Sequence, residues 1–158
     1  MTVPHVETNP ADFDDYAALH GLLSTSFAYM AGRIDPPSSM TALTQDGLRR
    51  KAGDEDLFLV RDGGRPVACL FGAATPDGYY IGKLAVAAAQ RRRGLARALV
   101  EAAAARARAL GLPALELQTR VELTENHAAF AAMGFVQTAA TAHPGYDRPT
   151  SLTFRRPL

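Results

Sequence analysis

The chain has 158 residues, 47% of them hydrophobic and 21% charged, which suits one folded domain with its own core and excludes general disorder. A net charge of +1 excludes nucleic-acid binding by bulk electrostatics, and the single cysteine, Cys69, excludes an intramolecular disulfide and fits a reducing, cytoplasmic setting. No apolar run approaches the ~20 residues of a membrane span and no signal pattern opens the chain, so neither a membrane nor a nucleic acid is expected as a partner.

Residues 3–7 read as a short first strand. Asn9 and Pro10 supply an N-cap and a first-turn proline, and Phe13, Tyr16, Ala17, His20, Leu23 and Phe27 recur at helical spacing. They predict a helix over 10–28, with His20 a satisfied histidine on its apolar face. A break over 32–39, containing Pro36 and Pro37, precedes a weaker helix over 40–51. A polar turn at 53–56 leads to a strand at 57–60, a hairpin signal at Asp62, Gly63 and Gly64, and a returning strand at 66–74. Cys69 lies in that apolar strand and reads as a buried small hydrophobe. Pro76, Asp77 and Gly78 turn the chain into a strand at 79–86, completing an antiparallel meander. A helix over 94–110 is stopped by Gly111 and Pro113, and a strand at 114–119 follows. The strand–helix–strand order makes that strand parallel to 79–86. Thr124 is expected to cap a short helix over 125–133 ended by Gly134, and two strands, 135–142 and 150–155, close the chain.

The stretch from Tyr79 to Arg97 organises the rest. An apolar strand feeds a basic connection and then a helix N-terminus, whose first N–H groups lack internal acceptors and carry the positive end of the helix dipole. Gly94 lets a ligand approach the backbone, and Arg91, Arg92, Arg93 and Arg97 gather positive charge there. An anionic ligand is expected at this corner. Neither a P-loop nor the G-x-G-x-x-G dinucleotide fingerprint is present. What is present is Arg91-x-x-Gly94-x-Ala96 after Leu84, Ala85 and Val86, which resembles the acyl-CoA motif of the GNAT (N-acetyltransferase) superfamily. The resemblance implies that amides from Arg92 through Arg93, Gly94, Leu95 and Ala96 to Arg97 hold the CoA pyrophosphate. It also implies that the main chain of Leu84, Ala85 and Val86 pairs with the pantetheine arm like an added strand.

A second segment, from Asn126 through Phe130 to Gly134 and Phe135, resembles the superfamily's Asn…Tyr-x-x-x-Gly-Phe pattern. Together the motifs imply an α/β (α+β) GNAT fold over the whole chain, with a mixed sheet of about 6–7 strands, an antiparallel meander, a splayed parallel pair and about 4 helices. Acetyl-CoA is the implied acyl donor and a small-molecule or peptide amine the implied acceptor. Asn126 would contact the cofactor arm, although capping of its own helix explains it equally. Phe130 stands where many relatives carry the tyrosine that protonates the CoA thiolate. Phenylalanine cannot donate, so only its packing role carries over, and Tyr146 or a water is left to supply the proton. For the base, Leu115-Glu116-Leu117-Gln118 resembles the Leu-Glu-Val-Arg segment of ribosomal-protein N-terminal acetyltransferases, which makes Glu116 the first choice, ahead of Glu122 and His143. Alternation puts Glu116, Gln118 and Arg120 on the face opposite Leu115 and Leu117. A solvated glutamate paired with an arginine is the other reading of Glu116. His127 is expected to be exposed. Two functions stay open: an N-acetyltransferase, or a non-catalytic acyl-CoA-binding module that has lost its acid. Edge strands at the C-terminus leave homodimer pairing open.

Overall fold

The computed structural model describes residues 4–158. In chain order they form β1 (Glu7–Thr8), α1 (Tyr16–Phe27), α2 (Gln45–Asp54), β2 (Asp56–Asp62), β3 (Arg65–Thr75), β4 (Gly78–Val86), α3 (Leu95–Ala109), β5 (Ala114–Arg120), α4 (Thr124–Ala132), β6 (Val136–Thr141) and β7 (Ser151–Pro157). The strands make one mixed sheet in the order β1-β2-β3-β4-β5-β7-β6. The predicted meander and the parallel contact between β4 and β5 are both present.

Alternation along the strands divides the core into two layers. Phe58, Val60, Leu70, Ile81, Leu115 and Leu117 face α3, whose Ala103, Ala104 and Ala107 are fully buried and let the helix lie close on the sheet. Leu57, Leu59, Cys69, Phe71 and Ala85 face the other way, onto Leu19, Leu22 and Leu23 of α1 and Leu48 of α2. Cys69 is a packed hydrophobe, and its burial pushes the thiol up to about 12.

The start of the chain departs from expectation. Of the strand predicted at 3–7, residue 3 lies outside the described residues, and only Glu7–Thr8 pairs with β2. Asn9 does not cap a helix. It takes a left-handed φ of 50°, exchanges hydrogen bonds with Leu57 and donates to Asp56, so it closes the sheet edge instead. Asp15 caps α1, whose buried residues are Leu19, Leu22, Leu23 and Ser26; of the predicted series, Phe13, Leu23, Tyr16 and Phe27 pack into the same core, while Ala17 and His20 are outside it. Likewise α2 starts at Gln45 under a Thr44 cap, not at residue 40. Thr124 is the first residue of α4 rather than its cap, because the preceding Leu123 is buried in the cavity wall.

Asp56 is a hub between the layers. Its carboxylate accepts from Tyr79 (2.6 Å), Asn9 (2.8 Å) and Arg106 (3.1 Å). Burial alone would raise its pKa, but these donors together hold it below the usual aspartate range. The Tyr79 ring lies where a Cβ on Gly72 would sit, 2.4 Å away, so that position of β3 accepts only glycine without rearrangement.

Candidate active site

Parallel pairing between β4 and β5 lasts for two residues, Tyr79 with Leu115 and Tyr80 with Glu116. Beyond them the strands part, and the backbone of β4 from Ile81 onward has no sheet partner on the β5 side. A cavity of about 470 Å³ occupies the wedge. Ile81 and Leu117 are among the residues that line it.

A bulge in β4 shapes one wall. Cys69 opposes Ala85 and Phe71 opposes Gly82, so the two-residue step on β3 faces a three-residue step on β4. The extra residue is Lys83, at φ 56°. Alternation alone would point Lys83 toward α3. The bulge turns it to the α1 side, where Nζ donates to Ser39 Oγ (2.8 Å) and lies 5.9 Å from the centre of the Phe27 ring. Burial first, and then the neighbouring charges of Lys51 and Arg120, lower its pKa below the ordinary lysine value.

The cavity roof is the segment between α1 and α2. Arg120 donates to the carbonyls of Pro36 (2.6 Å) and Pro37 (3.1 Å), Glu122 accepts from the Asp35 amide (3.1 Å), and Arg33 grips Glu125 through one nitrogen. These contacts fasten the roof to β5 and α4 from below.

The expected cofactor residues fall into two groups. Leu84, Asn126 and Phe130 line the cavity; Phe130 meets the Phe135 ring edge-on, and Asn126 Nδ2 donates to the hydroxyl of Tyr29 (3.3 Å). Ala85 is buried against the α1 layer, and Val86 packs against the α3 layer; neither residue lines the cavity. Arg91, Arg92, Arg93, Gly94, Leu95, Ala96 and Arg97 sit outside the cavity, at the start of α3. No side chain caps that helix; Gly94, at φ 75°, is its N-cap, and Arg92 is also left-handed at φ 65°. The uncapped N–H groups of this helix start, beside these two left-handed residues, are available to an anion. A Cβ at Gly94 would meet nothing within 4 Å, so the glycine is required by its φ and not by crowding within the chain. Arg97 reaches the Ala132 carbonyl at the end of α4 (3.5 Å), linking this corner to the helix that carries Phe130. Uncapped amides, open backbone and arginines beside an apolar-walled wedge fit a diphosphate with a long apolar arm.

The expected catalytic residues lie off the cavity wall. Glu116 is on the face predicted for it, with Gln118, which does line the cavity, two residues on. Its carboxylate accepts from Arg155 (3.2 Å), as the paired-glutamate reading anticipated. The Tyr146 hydroxyl donates to Asp35 (2.5 Å), and this bond, more than burial, raises its pKa. The ring stands edge-on to His143, which lines the cavity. His127 is not exposed as expected. It bonds the Arg120 carbonyl (2.9 Å) and lies against Phe154.

Sequence reasoning missed Lys83, Tyr29 and Ser39. A lysine inside an apolar strand was the available signal for the first. The other two lie in irregular segments that enter the cavity only through the roof contacts. No group of three or more potential metal-binding side chains occurs among the described residues.

The Acetyltransferase (GNAT) family description matches residues 17–135. Many solved structures resemble the fold, three of them as follows. A GCN5-related N-acetyltransferase (aminotransferase, class-II) from Rhodopseudomonas palustris has a TM-score of 0.76 at 17% identity, with 100% of this chain and 98% of that one covered. A GNAT family acetyltransferase from Elizabethkingia anophelis, solved with acetyl-CoA bound, has a TM-score of 0.68 at 14% identity, covering 98% and 97%. The ribosomal-protein-S18-alanine N-acetyltransferase from Escherichia coli has a TM-score of 0.65 at 17% identity, covering 98% and 94%. A search of curated proteins returns no match.

Proposed function

Because the chain belongs to the acetyltransferase (GNAT) family, we propose that it transfers the acetyl group of acetyl-CoA directly to a primary amine held in the cavity between β4 and β5. The observation that carries this reading is the junction of that wedge with the uncapped, arginine-flanked start of α3. Amides from Arg92 to Arg97, with Arg91, are assigned to the diphosphate. The main chain of Leu84, Ala85 and Val86 is assigned to the pantetheine arm, beside Asn126 and Phe130.

Acetyl-CoA, when bound, supplies an activated thioester. The protein then has to present a neutral amine, because an ammonium of pKa ~10.4 has no lone pair to attack with. Holding both reactants side by side is worth up to ~7–11 kcal/mol. Glu116 is assigned as the base, reaching the amine through water along the face it shares with Gln118. Backbone N–H groups of β4 facing the wedge, beyond the end of its pairing with β5, are assigned as donors to the carbonyl oxygen as charge builds. For the thiolate's proton, Tyr146 must leave Asp35 to serve. Tyr29 is the better-placed hydroxyl, since it already lies in the cavity wall against Asn126. A thiol's pKa of ~8.5 makes this proton a modest requirement.

Calorimetric titration with coenzyme A, followed by an assay of thiol release from acetyl-CoA over an amine panel, tests the reading. Binding with amine-dependent release is expected. Absence of CoA binding overturns it. Tight binding with no transfer to any amine would favour the second reading, a non-catalytic acyl-CoA module, for which Phe130 at the tyrosine position is the supporting residue.

A further inference from the structure

The cavity is lined by three cations, Lys51, Lys83 and Arg120, and among the described residues none of its lining side chains is an aspartate or glutamate. Two of the cations are engaged. Lys51 pairs with Glu55 (2.7 Å), and Arg120 spends its guanidinium on the Pro36 and Pro37 carbonyls. Lys83 has only the Ser39 hydroxyl and the face of Phe27. No carboxylate forms an ion pair with Lys83: Glu55 is taken by Lys51, Glu116 by Arg155, Asp35 by Tyr146 and Arg148, and Glu125 by Arg33, while Glu122 accepts from the Asp35 amide through one oxygen and its other oxygen is buried without a partner. A half-buried ammonium without a counter-charge is costly, and here a left-handed backbone at a bulge is what delivers it. The chain itself offers this ammonium only a hydroxyl and a ring face, and the arrangement suits a ligand that brings the missing charge.

We propose that the acceptor is an amine that also carries a carboxylate, and that Lys83 and the Ser39 hydroxyl receive that carboxylate. One free cation calls for a monoanion, which favours a carboxylate over a phosphate. Ser39 can donate to the second carboxylate oxygen once the Lys83 ammonium turns to the ligand. The inference rests on the acetyl-transfer reading for its amine but not for its anion site.

Titration of the coenzyme A-loaded protein with a panel of N-acetyl amino acids and the matching N-acetyl amino amides separates the two. The acids are expected to bind at least about tenfold more tightly than their amides. Lys83→Met should erase that preference, and Lys83→Arg should retain part of it; unchanged thermal unfolding of both variants establishes that they fold. Equal binding of acids and amides, loss of both alike in Lys83→Met, or no binding of any acid overturns the inference. Turnover with free amino acids and amino amides completes the test. Preference for acids in binding without turnover leaves the anion site standing and sinks acetyl transfer; turnover favouring the amides does the reverse. An acetyl group found on Lys83 after incubation with acetyl-CoA alone would make the lysine itself the acceptor and also overturn the inference.

Discussion

At the residue scale, Gly94 and Glu116 carry the sharpest expectations. Gly94 has space around it but a φ of 75°, and a β-branched side chain there costs on the order of 1–3 kcal/mol or forces the loop out of its conformation. Gly94→Val is therefore expected to weaken coenzyme A binding at least about tenfold, as read by calorimetry, in a chain that stays folded with a stability loss of about 1–3 kcal/mol. Unchanged affinity would misplace the diphosphate. Glu116 faces a choice between chemistry and its Arg155 partner. Glu116→Gln should lower turnover more at low pH, where the amine arrives protonated, than at high pH; an equal loss at every pH would assign Glu116 to holding Arg155. Both residues were legible in the sequence because each belongs to a local motif. Lys83 was not, because its direction depends on a bulge that only the pairing of β4 with β3 reveals.

Among the elements, the Asp56 hub joins β2, β4 and α3. Its folded pKa is depressed, so its contribution is complete above the unfolded aspartate value of ~3.9 and is lost as pH falls through the lower folded value. Tyr79→Phe leaves one of its donors missing, and thermal or denaturant unfolding at neutral pH should register a loss of about 1–3 kcal/mol. The difference from the parent should narrow as acid protonates Asp56. α3 offers a second test. Ala104 is fully buried against the sheet, so Ala104→Leu should cost about 1–3 kcal/mol by overpacking, visible as a lower denaturation midpoint. The small-residue helix and the meander were readable from composition and turns. The register of α1 was not, since its sequence is apolar on more than one side and the sheet, rather than Asn9 and Pro10, chose the face.

For the whole molecule, the cavity depends on β5 and the α1–α2 segment remaining joined. Arg120→Ala removes both clasps to Pro36 and Pro37 while leaving the start of α3 untouched. Steady-state kinetics should then give a raised KM for the amine with little change for acetyl-CoA. A matching rise for both would mean that the roof serves the cofactor as well. No helix among the described residues is long and apolar enough to cross a membrane.

What the sequence determined by itself was local: strand and helix order, the parallel relation of β4 and β5, and the glycine–arginine corner where α3 begins. These follow from periodicity, turn chemistry and the unpaired amides of a helix start, all of which are set within a few residues. Only the tertiary structure decided where β4 and β5 separate, which way the bulged Lys83 points, and that Arg120 and Glu122 hold the roof. Those outcomes come from pairing and contacts between separate elements, such as β3 with β4 at the bulge and Arg120 with Pro36 at the roof, and no local pattern encodes them.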